Sequence, residues 1–478
     1  MTPGDSLADR LGAAPAVSAA RAALDEREHA WIVGGAIRDA LLGREVTDVD
    51  LAVAGDAAQV ARAVARAADG HPFELSGEFA MWRVQARRGP WHIDVAELRG
   101  DSIEEDLGAR DFSLNAIALP LGGGDPIDPH GGAADLKRGV LRAVGERSFE
   151  DDPLRIMRAA RIAAALGLDV EPGTVELARA SARRAAEPAG ERQLAELREI
   201  LAGPDPVRGV ELMDELGATA AVLPELKALH GVEQNPYHHL DVHGHTIEVL
   251  RRVVELEADP RPAVGAAATE VDAVLEEPLA DDLTRRGALR LAALFHDLGK
   301  PETRSVAEGG RILFIGHDEA GARIIRAICG RLRASRRLTS YLELLTLNHL
   351  RLGFLVHERP LSRRRIYEYL VATEPETVDV TLLTVADRLA TQGPRTRADA
   401  IDSHIELARE MIAEALEWRR TGPPAPPIRG DELAAELGIE PGPELGRILR
   451  EIEAARFSGE VSSRDDAIAL ARRLREGE

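Results

Sequence analysis

Residues 34–53 read GGAIRDALLGREVTDVDLAV, and this stretch decides the fold of the first part of the chain. It opens on two adjacent glycines and ends in a strand-like run that carries Asp48 and Asp50. Since alternate side chains of a β-strand share a face, both carboxylates lie on the same face. Carboxylates so placed can hold two divalent ions that clamp the attacking and leaving oxygens in phosphoryl transfer, and Mg²⁺ prefers oxygen ligands. The stretch therefore predicts a Mg²⁺ site in which Asp48 and Asp50 are catalytic.

The residues around this pair indicate what the site binds. Gly34 and Gly35 leave room for backbone amides to approach phosphate oxygens. Asp94, in the later strand-like run WHIDVAEL, could complete the carboxylate set as a third catalytic residue. An Asp-x-Asp pair alone is weak evidence, because surface pairing or turn capping explains many such pairs. The preceding Gly-Gly-x-x-Arg-Asp, which includes Arg38 and Asp39, makes a nucleotide-binding site the better interpretation.

The composition indicates a mostly helical protein of several domains. At 478 residues the chain is too long for one core and should divide into about two to four domains. Its one cysteine, Cys329, excludes an intrachain disulfide and a cysteine zinc site, which fits a reducing cytoplasm. The sequence has no apolar run of about 18 residues and no signal-peptide pattern. We therefore expect a cytoplasmic protein without a membrane partner.

The charge balance narrows the choice of polyanionic partners. A formal net charge of −21 argues against nonspecific binding of polyanions such as DNA, because uniform acidity repels phosphates. It permits one RNA held on a local basic face, and arginines do cluster at 155–198 and in RLRASRR and LSRRR. Solvated helix faces explain any single arginine equally well, so the charge alone decides little.

The order of strand-like and helix-like residue patterns along the chain predicts an α+β fold, with a small mixed-sheet head followed by all-helical domains. Short apolar runs between Gly and polar turns indicate the strands of the head, among them FAMWRVQA at 79–86. Apolar spacings of three and four then indicate helices. A Pro-, Ala- and acid-rich segment at 255–284 is expected to be a loop or irregular insert. The expected bounds are 1–30 for an N-terminal helix, 31–145 for the head, 146–230 for a helical neck, 231–400 for a second globular domain and 401–478 for a helical tail with a proline-stiffened linker near 421–430.

The motif GGAIRDALLG, followed by TDVDLAV, resembles the signature of the class II CCA-adding and bacterial poly(A) polymerase family of nucleotidyltransferases. A second motif, ARDFSLNAIAL, resembles the RRDFTxNA block of that family. The resemblance implies that Arg110, Asp111 and Asn115 help to hold the ribose and triphosphate. Ala109 and Ser113 depart from the block, which puts one arginine contact in doubt.

A third motif, DDPLRIMRAARIAAALGL, resembles the family helix that carries EDxxR. The resemblance implies that Asp152 and Arg155 read the incoming base without a nucleic-acid template, and that Arg158 and Arg161 lie in the same nucleotide site. An aspartate accepts from the exocyclic amine of C or A while an arginine donates to ring acceptors, a combination that U and G lack. The leading Glu of the motif is Asp151 here. An N-capped amphipathic helix explains the composition but not the order of the motifs.

The run LAALFHDLGKPETR resembles the core of the HD phosphohydrolase family, with His296 and Asp297 adjacent. The resemblance implies two further metal ligands, His245 upstream and Asp387 downstream. Imidazole and carboxylate ligands suit Mn²⁺, Ni²⁺, Co²⁺ or Fe²⁺ and tolerate Mg²⁺, and the implied chemistry is phosphate hydrolysis, with 2′,3′-cyclic phosphates as one candidate substrate. Candidates for additional ligands or phosphate contacts at this site are His317, His349 and Lys300, whereas His238, His239 and His243 are interpreted as structural or phosphate-contacting.

The resemblance implies a tRNA nucleotidyltransferase that adds C and A from CTP and ATP, and two points stay open. Family members that add the whole CCA carry a flexible loop between the third carboxylate strand and the RRDFT block. Here the segment VAELRGDSIEEDLGA connects Asp94 directly to Arg110 and leaves little room for that loop. Both CC-only and full CCA addition are therefore retained as alternatives. The alternatives are a poly(A) polymerase, or an HD nucleotide phosphohydrolase with a degenerate, RNA-binding head. The oligomeric state and the role of the tail are not predicted.

Overall fold

The computed structural model describes residues 7–24, 29–76, 81–87 and 89–476, and the chain divides into two units, residues 1–222 and 223–478. The predicted α+β class, a mixed-sheet head followed by helical domains, is confirmed. The helices of the first unit are α1 (Leu7–Gly12), α2 (Pro15–Ala23), α3 (Gly35–Leu41), α4 (Ala57–Ala67), α5 (Ile103–Gly108), α6 (Gly132–Arg138), α7 (Ser148–Asp151), α8 (Arg155–Leu166), α9 (Pro172–Ser181), α10 (Gly190–Ala202), α11 (Pro206–Glu215) and α12 (Ala218–Val222).

The head is built on a sheet of six strands in the order β3-β4-β5-β2-β1-β6. β2 and β5 are parallel, and the other neighbouring pairs are antiparallel. A short parallel pair, β7 with β8, lies outside this sheet. The strands are β1 (Ala30–Val33), β2 (Asp48–Val53), β3 (Gly70–Ser76), β4 (Met81–Ala86), β5 (His92–Glu97), β6 (Ala118–Pro120), β7 (Val140–Leu141) and β8 (Asp169–Val170).

The alternation along β2 determines which face of the sheet carries Asp48 and Asp50. Val49 and Leu51 are buried in the core formed with α2, α3 and α4. Ala52, on the opposite face, packs with Ile103 and Leu107 of α5. Because side chains alternate between faces, the two aspartates of β2 share the α5 face with Ala52.

Two local predictions need correction or completion, and one strand was not predicted. The described part of residues 1–30 forms two helices rather than one, because Pro15 begins α2 at a position where its missing N–H costs nothing; residues 1–6 and 25–28 lie outside the described residues. The strand expected at 79–86 is seen from Met81 as β4, and Phe79 and Ala80 lie outside the described residues. β3 was not predicted.

The second unit is mainly helical. Its helices are α13 (Pro224–Lys227), α14 (Val242–Ala258), α15 (Arg261–Val264), α16 (Ala268–Leu275), α17 (Arg285–Phe295), α18 (Lys300–Thr303), α19 (His317–Leu332), α20 (Arg336–Asn348), α21 (Arg351–Leu355), α22 (Arg363–Thr373), α23 (Thr377–Ala390), α24 (Ala398–Thr421), α25 (Gly430–Leu437), α26 (Pro443–Ser458) and α27 (Arg464–Glu476). Two short hairpins join them, β9 (Pro278–Ala280) with β10 (Leu283–Thr284) and β11 (Ser305–Val306) with β12 (Ile312–Leu313). No helix of the described chain is long and apolar enough to cross a membrane.

The prediction of a loop or irregular insert at 255–284 is wrong. The segment holds the end of α14, the helices α15 and α16, and the β9–β10 hairpin. Val271, Val274 and Leu275 of α16 are buried at spacings of three and four, which is the pattern of a helix packed on one face. The helix was not predicted because the segment is rich in Ala, Pro and acidic residues, and its apolar face is short.

A buried ionic network joins three helices of the second unit, α17, α20 and α23. Arg285, the first residue of α17, donates through Nη1 to Glu376 Oε2 at 2.5 Å and to Asp379 Oδ2 at 2.8 Å. Tyr341 of α20 donates to Asp379 Oδ1 at 2.8 Å. Because all these groups are buried, their mutual pairing offsets a large desolvation cost, and α17, α20 and α23 are held in one arrangement.

Candidate active site and metal centre

The head brings the three predicted carboxylates together. Asp48 and Asp50 lie on β2, and Asp94 on β5 is the register partner of Asp50. Although the Asp50 side chain is open to solvent, the protein packed around it raises the pKa of its carboxyl; Arg110 opposes this shift, and the charges of Asp94 and Asp48 add to it. Like charges crowded in this way are stabilised by a divalent cation. The carboxylate cluster Asp48, Asp50 and Asp94 therefore fits Mg²⁺.

Two side chains that sequence reasoning missed hold this cluster. Arg83 of β4 forms a two-pronged salt bridge with Asp94, with Nε–Oδ1 and Nη2–Oδ2 both 2.7 Å. His92 Nδ1 lies 2.8 Å from Asp48 Oδ1. Both residues are register partners of the carboxylates they contact. Only the pairing of strands could have revealed them, since no local motif carries that information.

Gly34 is required by the closeness of the backbone to the cluster. Its φ is +73°, and a Cβ built there would lie 2.9 Å from Asp50 Oδ2 and 3.3 Å from Arg110 Nη1. A side chain at this position would be strained by the backbone angle and would displace the carboxylate. The absence of a side chain at residue 34 thus lets the backbone approach Asp50 closely, as the sequence predicts for a phosphate-binding turn.

A chain of hydrogen bonds links four residues that the sequence motifs predict to bind the nucleotide. Arg38 pairs with Asp39 at 3.0 Å and donates through Nη1 to Asn115 Oδ1 at 3.0 Å. Asn115 in turn donates to Asp111 Oδ1 at 3.1 Å, and Arg158 Nη1 lies 3.3 Å from Asp111 Oδ2. Burial opposes ionisation of Asp111, but Arg158 and the hydrogen bond from Asn115 keep its pKa below the usual value. These residues form one ordered polar wall.

The arginines of the helix α8 bind acidic side chains and backbone carbonyls. Glu196 of α10 accepts from Arg158 Nε at 3.4 Å and from Arg161 Nε at 2.8 Å. Arg155 is buried and donates to the carbonyls of Ser148, Ala109 and Arg110 at 2.8–3.2 Å.

Asp152, the other predicted base-reading residue, pairs with Arg192 at 3.1 Å rather than with Arg155. Arg192 and Glu196 lie one turn apart on α10, and their ion pairs are with residues of other segments, Asp152 for Arg192 and the two arginines of α8 for Glu196.

The second unit brings together the residues predicted to bind metal there. The histidine cluster lies at the ends or on the inner faces of five helices and consists of His245 (α14), His296 and Asp297 (after α17), His317 (α19), His349 (after α20) and Asp387 (α23). His245 Nε2 lies 3.0 Å from Asp387 Oδ1, and His296 Nε2 lies 3.1 Å from Asp297 Oδ2. Gly299 allows the close approach, because a Cβ there would lie 2.1 Å from the carbonyl oxygen of His317.

The buried polar atoms of this cluster fit a cation. Among the described residues, Asp297 Oδ1 and Oδ2, His296 Nε2 and both ring nitrogens of His245 have no partner in hydrogen-bond geometry, and all of these atoms are buried. Burial opposes ionisation of Asp297, but His296 and Lys300 hold its pKa well below the usual value. Burial lowers the pKa of His349 to about 4, and the neighbouring histidines add to this. An ionised carboxylate and a neutral imidazole are the forms that bind metal, so Asp297 and His349 suit a cation. Burial opposes protonation of His296, but the negative charges of Asp297 and Asp387 raise its pKa.

Lys300 and His238 border the cluster. Lys300 Nζ lies 2.6 Å from Asp297 Oδ2 and donates to Gln234 Oε1 at 2.8 Å. The His238 ring lies edge-on to His245, with 4.9 Å between centroids, and burial lowers its pKa to about 3. His239 is exposed, and His243 stacks on His230 with 3.6 Å between ring centroids. Gln234 was not among the predicted site residues.

Three models of protein families match parts of the chain. Residues 30–142 match the poly A polymerase head domain, residues 167–229 match the probable RNA and SrmB-binding site of polymerase A, and residues 242–392 match the HD domain. The chain is 36% identical to the A-adding tRNA nucleotidyltransferase of Deinococcus radiodurans, over 94% of this chain and 96% of that protein. It is 33% identical to the CC-adding tRNA nucleotidyltransferase of Thermus thermophilus, over 92% of each.

The fold is also seen in solved structures. The Thermotoga maritima CCA-adding enzyme complexed with tRNA aligns with a TM-score of 0.62 at 20% identity, over 99% of both chains. A CCA-adding enzyme with CTP aligns with a TM-score of 0.64 at 20% identity, over 100% of both chains. The resemblance drawn from the sequence motifs is confirmed, and the chain belongs to the family of tRNA nucleotidyltransferases that combine a poly A polymerase head with an HD domain.

Proposed function

We propose that this chain extends the 3′ end of tRNA with nucleotides taken from CTP or ATP, without a nucleic-acid template. The observation that carries the proposal is the carboxylate cluster beside Gly34 and Arg110, because it joins a carboxylate metal site to a backbone turn without a side chain and to a cationic group. Relatives over more than nine tenths of the chain are tRNA nucleotidyltransferases that add A or CC. These relatives favour a transferase over an HD hydrolase with a degenerate head.

The reaction would be in-line attack of the RNA 3′-hydroxyl on the α-phosphate, with release of pyrophosphate. Asp48 and Asp50 would hold Mg²⁺, which supplies charge neutralisation and polarisation at the phosphate when bound. Arg110, held by Asp106 at 2.9 Å, adds positive charge beside Asp50. The polar wall of Arg38, Asn115, Asp111 and Arg158 would hold the ribose and triphosphate.

Base selection is proposed to rest on Asp152, whose carboxylate can accept from the exocyclic amine of C or A. Arg155 donates to the carbonyls of Ala109 and Arg110, just before Asp111, and to that of Ser148. It therefore positions these segments and would reach the base only if those bonds opened. Arg192 is already paired with Asp152. An arginine next to the reading aspartate is therefore present without any rearrangement.

We propose further that addition stops after two cytidines. In the family that the chain resembles, the switch from C to A uses a flexible loop after the third carboxylate strand. Here residues 98–102 connect β5 directly to α5, and hydrogen bonds hold this connection. Arg99 N donates to Asp106 Oδ1 at 3.2 Å, and Asp101 N donates to Glu105 Oε2 at 2.8 Å. Because this connection is short and held by hydrogen bonds, it provides no flexible loop for the switch from C to A.

The histidine cluster is proposed to be a metal-dependent phosphohydrolase site, with 2′,3′-cyclic phosphates at damaged tRNA ends as the candidate substrate. A divalent transition metal bound there would polarise the phosphate and activate water. Lys300, at the edge of the cluster, offers a positive charge to the phosphate. Asp297→Ala should abolish hydrolysis of a 2′,3′-cyclic phosphate and leave nucleotide transfer intact. Unchanged hydrolysis in this variant would refute the assignment.

Pyrophosphate release tests the transferase proposal. With a tRNA that lacks CCA, CTP and Mg²⁺, the chain should release pyrophosphate in proportion to the tRNA extended, and Asp50→Asn should lose this activity by at least about 10³-fold. Asp387→Asn, in the histidine cluster, is the matched control and should retain it. Phosphate release from CTP without tRNA extension would instead support a nucleotide hydrolase.

A further inference from the structure

Two rows of side chains cross the sheet of the head on the face that carries the carboxylate cluster. Register partners on neighbouring strands project from the same face of a sheet. Each row begins at an aspartate of β2 and ends on β3, and the rows are Asp50–Asp94–Arg83–Phe73 and Asp48–His92–Gln85–His71. The salt bridge between Arg83 and Asp94 agrees with this common face. One continuous surface therefore joins the carboxylates to β3, the outermost strand of the described sheet.

The far end of this surface carries two exposed rings. His71 and Phe73 alternate along β3, and their rings stack with 6.4 Å between centroids and 29° between planes. The exposed fraction of Phe73 is 39%, and His71 is also exposed. On the opposite face of the sheet, Arg62 of α4 lies over the ring of Trp82 at 5.2 Å. The two rings of β3 thus project away from α4, on the solvent side.

The proposed transfer reaction determines what approaches these rings. In an in-line displacement, the attacking oxygen and the leaving pyrophosphate lie on opposite sides of the α-phosphate. The turn at Gly34, which follows β1, and Arg110 beside it are the groups proposed to meet the triphosphate. In the order of the strands, β1 lies on one side of β2, and β5, β4 and β3 lie on the other. The RNA 3′-hydroxyl therefore arrives over β5 and the strands beyond it.

The spacing of the strands places the rings within reach of the end of that RNA. Neighbouring strands are about 4.8 Å apart, so Phe73, two strands beyond Asp94, lies about 10 Å from it. When the 3′-hydroxyl lies at the carboxylate cluster, the base of the same nucleotide extends toward β3. Unpaired bases stack on aromatic side chains because every base has a π-face.

We infer that the unpaired 3′-terminal base of the RNA stacks on Phe73, whose ring His71 supports from the neighbouring position on the strand. The inference rests on the proposed function, because it takes the acceptor to be an RNA that is extended at its 3′-hydroxyl. Stacking uses the faces of a base and not its pairing edges, so it tolerates every base. The same ring can therefore receive each cytidine after it has been added.

Fluorescence tests the stacking without catalysis. The full chain is titrated, in the absence of nucleoside triphosphates, with a tRNA transcript that lacks CCA and carries 2-aminopurine as its unpaired 3′-terminal nucleotide. Stacking quenches this base, so its fluorescence should fall on binding to the unchanged chain and to Phe73→Tyr. Phe73→Leu, which keeps an apolar side chain without a ring, should bind the tRNA without this quenching. Equal quenching by Phe73→Leu and the unchanged chain would overturn the inference.

Steady-state extension of the same tRNA without the probe gives a second measurement. Since one aromatic–base stack contributes about 5- to 150-fold in binding, Phe73→Leu should raise KM for tRNA by at least about 5-fold. KM for CTP should not change, because the nucleotide lies on the other side of the carboxylate cluster. Glu74→Gln is the control and should change neither constant, since Glu74 is exposed and pairs in register with Trp82 on the face of α4.

The remaining outcomes separate this inference from its rivals. Loss of a dimer by Phe73→Leu on size-exclusion chromatography, with quenching retained, would assign the rings to a second copy of the chain and overturn the inference. Quenching that depends on Phe73 in a chain that extends no tRNA would refute the proposed function and leave the stacking standing. Extension by a chain whose quenching does not depend on Phe73 would do the reverse.

Discussion

Asp50 has so little space around it that the neighbouring backbone must be glycine. Gly34→Ala would bring a Cβ within 2.9 Å of Asp50 Oδ2 at a φ of +73°, so the carboxylate or the turn must move. We expect kcat/KM for CTP to fall by at least about 10²-fold, since misplacement by about 1 Å has effects of this size. Gly108, where an added Cβ meets nothing within 4 Å, is the control. Full activity of Gly34→Ala would show that the turn does not approach the nucleotide.

The pair of Arg83 and Asp94 gives a second prediction at the scale of residues. If Arg83 acts only by holding Asp94, Arg83→Gln should lower kcat/KM by roughly 10- to 100-fold, as expected when a paired charge loses its partner. Adding Arg83→Gln to Asp94→Asn should then change little, because residues that act through one interaction are not additive. The measurement is a double-mutant cycle on nucleotide incorporation. Additive losses would mean that Arg83 contacts the nucleotide itself.

Among residues, those in sequence motifs could be predicted and those that act through strand pairing could not. Asp48 and Asp50 alternate along β2 as their spacing predicts, and Asp94, the possible third carboxylate, is the register partner of Asp50. Arg83 and His92 lie in no motif and reach the cluster through their register across β4, β5 and β2. Since register depends on contacts between distant segments, no window of sequence contains it.

At the scale of elements, the buried network of α17, α20 and α23 has a pH dependence with a definite sign. Burial raises the pKa of Asp379 to about 6, Arg285 opposes this, and the charge of Glu376 adds to it. A carboxyl whose pKa is higher in the folded chain than its ordinary value of 3.8 favours folding while it is protonated. That contribution is present below pH 4 and is lost as the pH rises through about 6.

Asp379→Asn, which cannot ionise, should therefore destabilise the second unit more at pH 4.5 than at pH 7.5. The difference between the two pH values should reach about 2 kcal/mol, from the shift of about two pKa units. Urea unfolding at both pH values measures it. Asp399→Asn, at an exposed position, is the control. A destabilisation by Asp379→Asn that is equal at the two pH values would contradict the raised pKa.

Elements were predictable where their apolar pattern was long or their motif specific. β2 follows from its alternation, and α8 and α17 follow from apolar spacings of three and four. The helix α16 was missed because three buried residues, Val271, Val274 and Leu275, are its whole apolar face. β3 was missed because Gly70 and Pro72 interrupt it, and both residues are rare in strands.

At the scale of the whole molecule, the motifs predicted the order of head, neck and HD domain, because each motif resembles one block of a family domain and the blocks follow one another along the chain. The two proposed activities reside in different units: the carboxylate cluster lies within residues 1–222 and the histidine cluster within residues 223–478. Asp297→Ala and Asp50→Asn should therefore each remove one activity only.

The central claim is that the head extends tRNA and stops after two cytidines. The direct measurement uses three tRNA transcripts, lacking CCA, lacking only the terminal A, or complete, each with every labelled nucleoside triphosphate in turn and then with CTP and ATP together. We expect two cytidines on the first transcript and no incorporation on the other two. The reason is that residues 98–102 form a short, hydrogen-bonded connection and not a flexible loop that could switch the specificity to A. Incorporation of adenosine on either of the first two transcripts, or no incorporation at all, would contradict the account.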